Sequence, residues 1–139
     1  MNDESNISYY ITKAKSISPS VGDKKFKVGL VSSFTINGLE EIIRVKCSES
    51  NIFCRTYVSG YNQYVQEILN PQSDLYDFSP DLTFLILDTR TILGDIFYFP
   101  YSLTADEKHT FVNKKIKELI ELMDFFFYFF IYKLIFFIF

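Results

Sequence analysis

This chain has no tryptophan, one histidine (His109), two cysteines and five glycines among its 139 residues. One histidine and two separated cysteines do not make a zinc site. Cys47 and Cys54 stand seven apart without a CxxC pattern, and read as buried free thiols, the first late on a helix and the second on a strand. Neither a GxxxxGK[ST] phosphate loop nor a GxGxxG fingerprint occurs. No Asp-x-Asp pair occurs either. The net charge of −3 leaves no basic footprint for nucleic acid. The opening MNDESNISYY lacks a basic n-region and an apolar h-region, so a cytoplasmic protein without disulfides is expected. In such a chain the Asn6-Ile7-Ser8 glycosylation pattern carries no weight.

What is present is apolar and aromatic. Apolar residues make up 48% of the chain, which fits one domain with its own core. Aromatic content reaches 19%, because eight of the 16 phenylalanines lie beyond position 124. Residues 1–25 are polar and rich in Ser, Pro and Gly, and read as a loosely ordered lead-in with at most a short helix near 8–15. Periodicity begins at 26–31 (FKVGLV), an apolar run suited to a parallel strand buried on both faces. Thr35 or Asn37 can cap the helix that follows, in which Leu39, Ile42, Ile43 and Cys47 share a face. Residues 52–58 repeat the strand, and Ser59-Gly60 turns it into a second helix with Tyr61, Tyr64, Val65, Ile68 and Leu69 on one side. Pro71 stops that helix. A turn-rich link, 72–81, leads to the third strand at 82–88.

A loop of about fifteen residues, 89–103, then precedes a capping box at Thr104 and Glu107. The helix it opens is expected to bury Val112, Ile116, Leu119, Ile120 and Met123. Strands alternating with helices imply right-handed crossovers and a three-layer, doubly wound, mostly parallel α/β sheet in order 2-1-3-4. The main domain is then 26–124, followed by a distinct aromatic tail at 125–139 (FFFYFFIYKLIFFIF). At 1.5 Å per residue the tail spans about 22 Å of a roughly 30 Å hydrocarbon core, so a membrane anchor is not favoured. Either 133–139 supplies a fourth buried strand, or the tail reflects a frameshift into low-complexity sequence.

Three stretches in order, LVSSFTINGL (30–39), YVSGYNQYVQEILNP (57–71) and SDLYDFSPDLTFLILD (73–88), resemble the amino-terminal domain of FkbH-like proteins. In that family a flavodoxin- or SGNH-like domain precedes a catalytic domain of the haloacid dehalogenase (HAD) phosphatase superfamily, subfamily IIIC. The resemblance implies transfer or hydrolysis of phosphorylated small molecules, in some members forming glyceryl-carrier-protein thioesters. It also implies magnesium in the HAD domain, and that domain, an acyl carrier protein or a phosphorylated small molecule as partners. The HAD nucleophile requires Asp-x-Asp-x-Thr, and Asp88-Thr89-Arg90-Thr91 lacks the second carboxylate. The chain is therefore expected to be an accessory domain, incomplete at its C-terminal side and non-catalytic alone, with no cofactor of its own.

In a doubly wound sheet ligands lie beyond the carboxyl ends of the strands. That rule selects Ser32, Ser33 and Thr35 after the first strand; Ser59, Gly60 and Asn62 after the second; and Asp88, Thr89 and Arg90 after the third. The candidate ligand or docking surface is Ser33, Thr35, Gly60, Asn62, Gln63, Tyr64 and Asp88. An SGNH-type hydrolase would use Ser32 or Ser33 as nucleophile and Gly60 at the oxyanion. However, Asp88 occupies the place of an oxyanion donor, and no Asp-x-x-His pair is present to activate the serine. No residue is assigned as catalytic, and none as a metal ligand.

Overall fold

The computed structural model describes residues 6–20, 24–130 and 134–138. Four strands form one parallel sheet: β1 (Lys24–Ser32), β2 (Ile52–Val58), β3 (Leu82–Leu87) and β4 (Leu134–Ile138), in spatial order β2-β1-β3-β4. Register is carried by Phe26 opposite Cys54, Leu30 opposite Phe84, and Leu85 opposite Phe136. The expected α/β layering and strand order are therefore present. β1 starts at Lys24, two residues before its apolar run, since the ladder to β2 already holds there.

Helix α1 (Ile7–Lys15) occupies the expected lead-in. Asn6 caps it, its side chain accepting the Ser8 N–H at 2.9 Å. Tyr10 and Ala14 pack on Val45 of α2 (Leu39–Glu49). Thus α2 is buried on two sides. Leu39, Ile43 and Cys47 lie on Val28, Leu30 and Cys54 of the sheet, while Ile42 and Val45 meet α1. A single-stripe reading misses Val45, which is fully buried.

The cap of α2 also differs from expectation. Gly38 fills the position with φ at 86°, and neither Thr35 nor Asn37 caps the helix. A side chain on Gly38 would meet a left-handed backbone and collide with Ile7, so glycine fits where a polar cap does not.

On the opposite face lie α3 (Tyr64–Leu69) and α4 (Asp74–Phe78). The former is shorter than its periodicity implied: Asn62 takes a left-handed φ of 53°, and Tyr61 is exposed in the turn. Asn70 is extended before Pro71, which ends α3 as expected. The turn-rich link contains α4. The long loop holds α5 (Thr89–Leu93), α6 (Asp95–Tyr98) and a 3-10 turn at Pro100–Ser102.

Helix α7 runs from Ala105 to Phe130. Its capping box is formed: the Thr104 N–H donates to Glu107 Oε2 at 2.8 Å and the Glu107 N–H to Thr104 Oγ1 at 3.3 Å. The buried residues are Leu122 and Phe126, packed on Val31, Leu85 and Leu87, with Leu119, expected inside, half-buried against them. Val112, Ile116 and Ile120, expected inside, are 43%, 50% and 47% exposed. The helix is rotated so that Phe126 is fully buried with Phe125 packed beside it, where an aromatic ring removes more apolar area from water, while Phe127 stays exposed. The aromatic tail is thus divided between the end of α7 and β4. Lys133 and Phe139, expected at the ends of that strand, lie outside the described residues. Among the described residues no helix is long and apolar enough to cross a membrane.

Candidate functional site at the carboxyl edge of the sheet

β1 ends at Ser32 and Ser33 follows it, which places both serines at the sheet's carboxyl edge, where backbone groups lose their ladder partners. Both are enclosed, Ser33 completely. Ser33 Oγ accepts the Asp88 N–H at 2.8 Å, and the Ser33 N–H donates to Ile86 O at 3.1 Å. Ser32 Oγ accepts the Phe34 N–H at 3.1 Å, while the Ser32 N–H donates to Ser59 Oγ at 3.3 Å. The Ser59 N–H in turn reaches Leu30 O at 2.9 Å. These bonds stitch the ends of β1, β2 and β3 together.

Asp88 follows β3 and caps α5, accepting the Arg90 N–H at 2.9 Å. Its carboxylate also holds the Arg90 guanidinium, with Nη2 at 2.7 Å from Oδ2. Bonds from the Arg90 side chain and then its backbone lower the Asp88 pKa, and Asp88 raises that of Arg90. At neutral pH the pair presents little net charge to an approaching ligand.

Phe34 divides the edge into two clefts. One, of about 280 Å³, is lined by Thr35, Asn37, Glu40, Glu41, Ser59 and Tyr61. The other, of about 420 Å³, lies against Asp88, Thr89, Arg90 and Phe97. Gly60, Asn62 and Gln63 form the exposed turn after β2, closed by the Gln63 N–H to Gly60 O at 3.2 Å. Tyr64 is separated from them. It is half-buried in a groove of about 470 Å³ beside Leu69, Ile92, Leu119 and Phe125. Burial raises its pKa, Lys115 lowers it, and Glu118 raises it further.

The structure thus brings together Ser32, Ser33, Ser59, Asp88 and Arg90, sets Thr35, Gly60, Asn62 and Gln63 on the rim, and turns Tyr64 elsewhere. The contributions of Phe34, Tyr61 and Phe97 were missed. Phe34 was discoverable, since the residue after a strand's end must stand at the mouth of the edge. Phe97 depends on the unexpected helix α6. Among the described residues, both serine hydroxyls have backbone amides as partners, and His109 bonds Asn113 on exposed α7. Among the described residues, no carboxylate or imidazole is hydrogen-bonded to either serine hydroxyl. No group of three or more His, Cys, Asp or Glu is positioned to hold a metal among the described residues.

No family model and no curated protein matches this chain. A solved structure does: the N-terminal part of the protein BF1531 from Bacteroides fragilis, containing a phosphatase domain and complexed with Mg. The TM-score is 0.67 at 21% identity, covering 86% of this chain. The fold is shared. This chain spans 30% of the length of that one.

Proposed function

We propose that this chain is the accessory amino-terminal domain of an FkbH-like HAD phosphatase or glyceryl transferase, acting through contact with a HAD catalytic domain rather than by its own chemistry. The observation that carries the reading is the likeness of nearly the whole chain to part of a longer protein that contains a phosphatase domain. The edge supports it from the chemical side: its two serines are engaged with backbone amides and its one carboxylate with Arg90. Magnesium and phosphoryl chemistry then belong to the catalytic domain. The contribution of this chain is the rim formed by Thr35, Gly60, Asn62 and Gln63, which would receive that domain, a carrier protein or a phosphorylated substrate.

The test is titration of the chain with a separately produced HAD catalytic domain from the same genome, followed by calorimetry. Association is expected, weakened at least about tenfold in Thr35→Arg and Gln63→Arg variants, a loss of about 1.4 kcal/mol. Absence of any association, with the chain folded by circular dichroism, would remove the reading.

A further inference from the structure

We propose that this chain pairs with a second copy of itself through α7 and the open edge of β4, forming a twofold dimer. The surface is independent of the carboxyl edge. One flank of α7 is occupied: Lys115, Leu119, Leu122 and Phe125 face Tyr64 and Leu69 of α3 across the groove of about 470 Å³. Helix α3 stands on β1 through Ile68 and Val31, so the other flank of α7 turns towards β4, the outermost strand. On that flank Ile116, Ile120 and Phe127 are exposed, and Met123 is half-buried. Their spacing of four, three and four residues is that of a seam along which a second helix packs. Strand β4 continues the flank. Among the described residues no strand pairs its outer side, and Leu134–Ile138 carries no charge to keep one away. Ile138 lies opposite Leu87, on the sheet face that α7 covers, and is nonetheless exposed.

Self-complementarity fixes the occupant. A bare strand edge takes an extended strand, an apolar seam takes another such seam, and this chain carries both side by side. A twofold axis perpendicular to the sheet sets each β4 antiparallel to the other β4 and each α7 antiparallel to the other α7. Ile116 then meets Phe127 of the copy, and Ile120 meets Met123. The charges agree with this reversal. Lys117 and Asp124 are both exposed and stand seven residues apart, at equivalent places along one border of the seam. An antiparallel copy brings Lys117 of each chain beside Asp124 of the other, giving two contacts of opposite charge in the dimer. Within its own helix Lys117 stands 3.7 Å from Glu121, an exposed pair that leaves its charge open to a second carboxylate.

Sedimentation equilibrium of the full chain over a dilution series tests this. The wild type is expected to give twice the chain mass and to dissociate on dilution as one defined dimer. Ile120→Glu, a change at an exposed side chain, should weaken the dimer at least about tenfold by placing a charge in the apolar seam. Asp124→Lys and Lys117→Asp should each weaken it at least about tenfold by opposing like charges, and the charge swap Lys117→Asp with Asp124→Lys should restore it. A monomer at every concentration, open-ended aggregates in place of a dimer, or a dimer that the single variants leave intact overturns the proposal. So does a charge swap that is folded by circular dichroism and fails to recover the dimer. If the swapped chain does not fold, the wild type alone decides: dimerisation should slow amide hydrogen exchange over 116–127 and 134–138, and protection confined to other segments overturns the proposal.

Discussion

Replacing Ser33 with alanine removes the oxygen that accepts the Asp88 N–H at a fully buried point of the sheet edge. An orphaned buried amide costs about 1–3 kcal/mol, so Ser33→Ala should lower the urea midpoint accordingly. Thr83 offers the opposite case. Its hydroxyl is buried beside Gly29 with no partner among the described residues. Thr83→Val keeps the shape and deletes the unsatisfied oxygen. Its urea midpoint should equal or exceed that of the wild type, and a clear fall would mean the hydroxyl has a partner. Asp88 sets a pH dependence. Its pKa is lowered by Arg90, so the folded state binds fewer protons than the unfolded chain near the carboxylate range. The stability it contributes is present above the ordinary carboxylate value of about 3.9 and is lost as pH falls through the lower folded value. The stability gap between wild type and Asp88→Asn should therefore be present at neutral pH and vanish in acid, as followed by denaturation at several pH values.

At the scale of elements, α2 and α7 show where pattern reading succeeds and where it stops. Both helices are visible as recurrences of apolar residues, and the Thr104–Glu107 box marks the start of α7 by residue type alone. Thr104→Ala should cost about 0.5–2 kcal/mol by thermal or urea denaturation. Less legible is which apolar stripe faces inward, because α7 carries two. Val112, Ile116 and Ile120 satisfy the helical period with Leu119 as well as Leu122 and Phe126 do, and only packing against Val31, Leu85 and Leu87 decides between them. Phe126→Ala should therefore cost about 3–5 kcal/mol, whereas Ile116→Ala, half exposed, should cost far less. The cap of α2 was hidden for another reason. A left-handed Gly38 answers to the approach of Ile7, a residue thirty-one positions away that no local window contains. Gly38→Ala should destabilise by about 1–2 kcal/mol through the backbone alone.

For the whole molecule, alternating apolar runs and turn residues specified a parallel sheet in the order found, because crossover handedness leaves few alternatives. The edge was legible in outline, since topology alone delivers Ser32, Ser33, Ser59 and Asp88 to one place. What the chain pattern could not show is that these groups would spend their hydrogen bonds on neighbouring backbone and on Arg90. That engagement is what the proposed accessory reading draws on from the edge itself. The most direct test is phosphate release from a panel of phosphorylated small molecules, with magnesium, by the purified chain alone. The account predicts no release above the buffer blank. Magnesium-dependent turnover that follows the protein through purification and is abolished by Asp88→Asn would contradict it.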